Sequence, residues 1–195
     1  MAADTDQRRE RILTVAQEVF AEQGFRTAEV KTIAQRAGVG KATIYKFFES
    51  KDHLLLHIVE ENLNDVRDIA LQHLISSGPP IERLRRVTAS VAGYMAQNRE
   101  FSRVMIQEAG EFAGDIQKKY LAMIEQYLAV ADAFFAELRK DGYFTRLATR
   151  DTIQLMLNLM IGTTYTWALT GEGDMEQQAM DYLDILIAGM REARA

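Results

Sequence analysis

The chain of 195 residues contains no cysteine, two prolines, one tryptophan and three histidines. Without cysteine there is no disulfide framework, no thiolate metal site and no thiol nucleophile. The most apolar run, residues 155–161, is interrupted by Asn158 and is far too short to cross a bilayer. The opening MAADTDQRRERI carries acidic residues and no apolar h-region, so it does not read as a signal peptide, and a cytoplasmic location is expected. A nucleophile elbow and a glycine-rich phosphate loop are both missing, and His53, His57 and His73 all fall on one predicted helix. The chain is therefore not expected to be an enzyme, and no cofactor is implied. What is present is 48% apolar and 26% charged sequence, enough for the core of one or two domains.

Helical periodicity dominates, with no convincing alternating strand and no internal repeat. The expected fold class is all-α, with about nine helices at 6–23, 29–37, 41–48, 51–76, 81–97, 99–112, 115–140, 149–170 and 175–193. The boundaries follow from capping chemistry. Gly24 is suited to a left-handed cap, Ser50 to an N-cap with Asp52 in the first turn behind it, and Ser76-Ser77-Gly78-Pro79-Pro80 to a break. Further breaks are expected at Asn98, from Gly110 to Asp115, at Asp141-Gly142 and at Gly171-Glu172-Gly173. The division expected from this pattern is a three-helix domain over 1–50 and a larger helical bundle over 51–195, joined by the 51–76 connector helix.

Charge is unevenly spread. The net charge is -5, yet residues 26–51 hold Arg26, Lys31, Arg36, Lys41, Lys46 and Lys51 against Glu29 and Glu49, a local +4 that leaves -9 elsewhere. A polyanion would meet one cationic face. The same segment contains VKTIAQRAGVGKATIYKFF, residues 30–48, which fits a helix-turn-helix at every internal position. Ile33 and Ala37 are apolar, Ala34 is small where two helices cross, Gly38 supplies a positive φ in the turn, Val39 follows it, and Ile44 with Phe47 or Phe48 faces inward. Phe48 is the surest core residue of these. Lys41, Ala42, Thr43, Tyr45 and Lys46 are left on the outer face of the second helix, a mixture suited to phosphates and base edges. Singly, each lysine reads as a solvated charge; as a set on one face of a complete pattern they read as DNA contacts.

The segments AxxxFAEQGF (16–25) and IAQRAGVGKATIYKFFESKDHLL (33–55) resemble the tetracycline-repressor (TetR) family of bacterial transcription regulators, with a likeness to its AcrR-like and AefR-like branch. The resemblance implies that Lys41 and Thr43 lie near bases or the adjacent backbone, that Tyr45 meets a phosphate and that Lys51 holds another. Two positions depart from the family pattern. Glu29 stands where Thr or Ser usually caps the second helix, which makes Thr27 the alternative cap, and Gly40 stands where Ser is usual.

Beyond residue 80 the sequence is rich in methionine and aromatic residues. Such a stripe is usually core, but in a regulator of this kind the same helices enclose an apolar cavity. Tyr94, Phe101, Met105, Glu108, Met123, Tyr127 and Asn158 are the expected ligand-binding residues. The helices at 149–170 and 175–193 are apolar on several sides and must be covered on several sides. A homodimer seam is expected there, formed by Ile153, Leu157, Met160, Ile161, Thr164, Leu183, Leu186, Ile187 and Met190. His53, His57 and Glu61 share one helical face at metal-ligand spacing, but with no fourth ligand in view a metal is not expected. The expected function is that of a dimeric DNA-binding regulator, most simply a repressor of a pseudo-palindromic double-stranded operator, released by a small apolar or amphipathic effector. The alternative is a helical ligand carrier or protein-interaction module whose DNA binding has decayed.

Overall fold

The computed structural model describes residues 2–108 and 113–190, with side chains described outside 2–3, 105–113, 115–117, 120–121, 123–124 and 126–127. Among the described residues there are nine helices and no strand. They are α1 (Ala2–Gln23), α2 (Val30–Arg36), α3 (Lys41–Phe47), α4 (Lys51–Leu74), α5 (Pro80–Gln97), α6 (Arg99–Glu108), α7 (Ala113–Lys140), α8 (Thr149–Thr170) and α9 (Met175–Gly189). The predicted boundaries agree with these to within a few residues wherever the chain is described. The expected ends at 112 and 193 lie outside the described residues.

Local chemistry accounts for the boundaries. Gly24 closes α1 at φ 76°, its N–H donating to the Phe20 carbonyl at 2.9 Å. Ser50 Oγ accepts from the His53 N–H at 3.0 Å and caps α4. Pro79 and Pro80 open α5, where proline removes no helical hydrogen bond. Gly171 ends α8 in the left-handed region, and the Asp174 carboxylate accepts from the Gln177 N–H at 3.0 Å to start α9.

The chain forms two compact units. The first combines α1, α2, α3 and residues 51–63 of α4 with α6 and the opening of α7. Its membership is not linear in sequence, since α6 packs on α1 although it lies well beyond residue 50, where the division was expected. Its core contains Ile12, Ala16, Val19, Phe20, Ile33, Ile44, Phe48, Leu54 and Ile58, all fully or almost fully buried, with Phe101 and Val104 of α6. The second unit holds residues 64–74 of α4, α5, the rest of α7, α8 and α9, around Leu84, Phe134, Phe135, Leu138, Phe144, Leu183 and Ile187. Buried Arg83 ties three of its elements together. It donates to the Leu74 carbonyl at 2.7 Å, pairs with Glu137 and stacks over the Phe134 ring at 5.0 Å.

Candidate nucleic-acid interface and effector cavity

Within the first unit, α2 and α3 form the helix-turn-helix that the sequence pattern predicts. Ile33, Ala34, Ala37, Ile44 and Phe48 are buried, and Gly38 turns the chain at φ 65° while the Val39 N–H donates to the Ala34 carbonyl at 3.0 Å. With those positions turned inward, the remaining face of α3 is presented outward. Lys41, Ala42, Tyr45 and Lys46 are exposed and Thr43 is partly so. Tyr45 is 45% exposed, and the Lys41 ammonium lies 5.8 Å from its ring centroid. An aromatic hydroxyl and two ammonium groups on the exposed face of a short helix are chemically fitted to phosphate oxygens and groove edges.

The start of α2 corrects one expectation. Thr27 does not cap this helix; Glu29 occupies the N-cap at φ -98° and ψ 135°, and makes no side-chain capping bond. Thr27 is exposed in the preceding turn. Gly40 is the N-cap of α3, likewise without a side-chain cap, at an ordinary extended backbone conformation. An open cleft of about 320 Å³ lies between these elements, lined by Ala28, Glu29, Val30, Lys31, Lys41, Tyr45 and Lys51. Lys31 was not among the expected contacts, although its place in the first turn after a helix cap next to the reading helix is a usable signal.

The six cations of this segment are not equivalent. Arg36 pairs with Glu22 at 2.7 Å, and the arginine hydrogen bond holds the Glu22 carboxyl below its ordinary range. Lys51, expected on a phosphate, is directed elsewhere: its Nζ donates to the carbonyls of Phe25 at 2.7 Å, Arg26 at 3.1 Å and Ala28 at 3.2 Å. Lys31, Lys41 and Lys46 keep exposed ammonium groups.

The His53, His57 and Glu61 face of α4 is occupied by a cation of the protein itself. Arg9 pairs with Glu61 at 2.5 Å and approaches His57 Nδ1 at 3.4 Å, and the two imidazoles stand 4.5 Å apart. Burial, then His53 and Arg9, push the His57 pKa below its ordinary value. No cluster of metal-ligating side chains occurs among the described residues.

The second unit contains an apolar cavity of about 220 Å³ between the later part of α4 and helices α5, α7, α8 and α9. Its walls include Leu71, Leu74, Leu84, Val87, Val91, Phe134, Phe135, Met156 and Met160, and the charged side chain among its lining residues is Arg67. Of the expected ligand-binding residues whose side chains are described, Tyr94, Phe101 and Asn158, none lines it. Tyr94 donates its hydroxyl to Asp65 at 2.9 Å, Phe101 is buried in the first unit, and Asn158 is exposed, accepting from Gln154. The side chains of Met105, Glu108, Met123 and Tyr127 lie outside the described residues.

Several residues expected at a dimer seam line this cavity or the core around it. Ile153, Leu157, Met160, Leu183 and Leu186 line the cavity, Leu183 and Ile187 belong to the core, Met190 packs against that core, and Thr164 is buried. Thr164, Leu183 and Ile187 are buried within the subunit, whereas Ile153, Leu157, Met160, Leu186 and Met190 remain half-buried. Ile161 does face outward, at 58% exposure, and the sequence reading missed its companions on α8. Tyr165 and Leu169 continue the row at helical spacing, 50% and 62% exposed, and α9 adds Tyr182 and Ile185, the latter at 70%. An i, i+4, i+8 count along α8 was the available signal. Among the described residues, no helix is long and apolar enough to span a membrane.

Comparison with known proteins covers most of the chain. Residues 12–58 match the model of bacterial regulatory proteins of the tetR family, and residues 77–190 match a tetracyclin repressor-like C-terminal domain. The fatty acid metabolism regulator protein of Bacillus subtilis (strain 168) is 23% identical over 181 residues, spanning 92% of this chain and 93% of that protein. The transcriptional regulator AcrR of Shigella flexneri is 24% identical over 192 residues, 94% of this chain and 89% of its own length. Among solved structures, FadR from Bacillus subtilis in complex with stearoyl-CoA superposes with a TM-score of 0.80 at 22% identity, over 93% of this chain and 99% of that one.

Proposed function

From the premise that the chain belongs to the TetR family of bacterial regulatory proteins and is a ligand-responsive, DNA-binding transcriptional regulator, we propose that it is a repressor. It binds a pseudo-palindromic operator in the cytoplasm as a homodimer and leaves it when a small effector enters the cavity. The observation that carries this reading is the outer face of α3, where Lys41, Tyr45 and Lys46 are exposed on a helix-turn-helix whose inner positions are buried. In this reading Lys41 and Thr43 read bases from the start of α3. Ala42 packs close to the groove, and Thr27, Lys31, Tyr45 and Lys46 hold phosphates.

A reader of paired half-sites needs two copies at a fixed spacing, and the exposed apolar row of α8 and α9 supports a two-fold seam. The effector reading rests on the aliphatic and aromatic cavity wall with Arg67 beside it, and on the likeness to a regulator crystallised with stearoyl-CoA. Both point to an aliphatic acyl compound with an acidic end, and flexible Met156 and Met160 can repack along its chain. Such a ligand touches the 66–74 stretch of α4, the helix that begins at Lys51 in the first unit. It lowers DNA affinity only to the extent that it prefers a conformer that binds DNA poorly, and operator and effector then oppose each other reciprocally.

The test is a gel shift with the DNA upstream of the protein's own gene, with and without dodecanoate and dodecanoyl-CoA. A shift reversed by either compound supports the reading, and a shift reversed by neither removes the acyl effector. No shift at about 50 mM salt, where a phosphate-gripping dimer binds well, favours the helical carrier instead.

A further inference from the structure

We propose that Lys51 is a positioning residue for DNA binding: its ammonium clamps the α1–α2 turn onto the start of α4 and does not contact a phosphate. This rests on the DNA-binding reading above and concerns how the reading head is held. A lysine carries three N–H donors, and here all three have acceptors, the carbonyls of Phe25, Arg26 and Ala28. The same ammonium lies 4.6 Å from the centroid of the Phe25 ring, and that ring is itself buried edge-on against Phe20 at 5.1 Å. A half-buried cation over an aromatic face, with three convergent carbonyls around it, has its donors committed to the chain although it borders the open cleft.

The carbonyls are also well chosen by position. Those of Phe25 and Arg26 follow directly on the left-handed end of α1 at Gly24, where the helix dipole favours a positive charge. That of Ala28 precedes the cap of α2 at Glu29, which has no side-chain cap of its own. Lys51 thereby supplies from α4 part of the order that a capping hydroxyl would have supplied locally. It adds a tie between α4 and the reading head to the Arg9–Glu61 pair and the buried Leu54 and Ile58. A shift of the first turn of α4 is felt by the turn that leads into α2, and so by Lys31 and the α2–α3 pair. Lys51 is in this sense the joint between the helix that senses and the helices that read.

The clamp and a phosphate contact differ in salt dependence. Removing one phosphate contact lowers the slope of log affinity against log salt by about 0.9, whereas misplacing the head lowers affinity at every salt concentration with the slope unchanged. The experiment measures binding of the full-length protein to its operator between about 50 and 200 mM salt for Lys51→Met, with Lys46→Met as the phosphate-facing comparison. Lys51→Met is expected to bind at least about tenfold more weakly with the wild-type slope, while Lys46→Met, which removes one phosphate contact from each subunit of the dimer, loses close to two units of slope. A slope loss for Lys51→Met equal to that of Lys46→Met, or unchanged affinity, overturns the proposal.

If Lys51→Met does not fold, Lys51→Arg decides. Its planar fork still grips a phosphate but does not place three donors on those carbonyls, so weakened binding at unchanged slope supports the clamp and wild-type affinity refutes it. Hydrogen exchange of the free protein separates failure of the clamp from failure of the DNA-binding reading. Amides of residues 26–31 exchange faster in the folded variant if the clamp is real, whether or not any duplex is bound, and unchanged exchange there refutes it.

Discussion

Changing Ile185 to aspartate is expected to dissociate the dimer without unfolding the subunit. Ile185 is 70% exposed on α9. Moving a whole isoleucine side chain out of water contributes about 1.5–3 kcal/mol, so covering the exposed part of this one contributes about 1–2 kcal/mol. A two-fold seam contains the residue twice, which gives about 2–4 kcal/mol, or a rise in the dimer dissociation constant of about 30-fold to 1,000-fold. The buried carboxylate of the variant adds to that penalty. Sedimentation velocity over a range of protein concentrations reads the effect, with circular dichroism to show that the subunit remains helical. Leu183→Ala is the internal contrast: Leu183 is 3% exposed in the core of the second unit, so its truncation lowers subunit stability by about 2–5 kcal/mol and leaves association of the folded subunits intact. A wild-type protein that sediments as a monomer, or a folded Ile185→Asp that associates like wild type, refutes the outward stripe as the seam.

Glu29→Thr places a capping hydroxyl at a helix start that has none and removes a negative charge from the cationic cleft; thermal unfolding should show a gain of about 1 kcal/mol, and operator binding should tighten. Phe48→Ala opens a cavity among Arg9, Phe47 and His57 and should cost about 3–5 kcal/mol in the first unit, read by denaturant titration. His57 gives a pH dependence whose sign is fixed by its lowered pKa: the folded chain favours neutral imidazole while the unfolded chain takes up a proton near pH 6.5. Its contribution to stability is therefore present above about pH 6.5 and is lost as pH falls through the folded-state value. His57→Gln should flatten the melting temperature across that window, and a profile identical to wild type contradicts the assignment.

The helices were legible because their ends are written in local chemistry, in Gly24, Ser50, the Pro79-Pro80 pair and Gly171, and each of these acts within a few residues of itself. The helix-turn-helix was legible for a similar reason, since Gly38 and the buried positions from Ile33 to Phe48 are close in sequence. The cavity was not. Its walls come from five helices spread over more than a hundred residues, and an apolar periodicity says that a face is covered without saying by what. Periodicity therefore assigns most of the apolar positions of α8 to a seam, although Leu157 and Met160 line the cavity and Ile161 and Leu169 face out. The richness of residues 94–135 in rings and thioethers drew attention away from Leu71, Leu84 and Met156, which are chemically ordinary. Lys51 shows a different limit. Its sequence position identifies a cation at a helix start, but whether its protons meet a phosphate or three carbonyls depends on where residues 25–28 return in space.

Binding stoichiometry and salt slope on one duplex test the central claim most directly. The wild-type protein titrated by fluorescence anisotropy onto the DNA upstream of its own gene, at a series of salt concentrations, should saturate at an even number of subunits per site. Its affinity should fall steeply with salt, and Tyr45→Ala and Lys46→Met should weaken it on every sequence. Saturation by a single subunit, or affinity that is indifferent to both salt and these two side chains, would contradict the assignment of α3 as a reading helix held in a dimer.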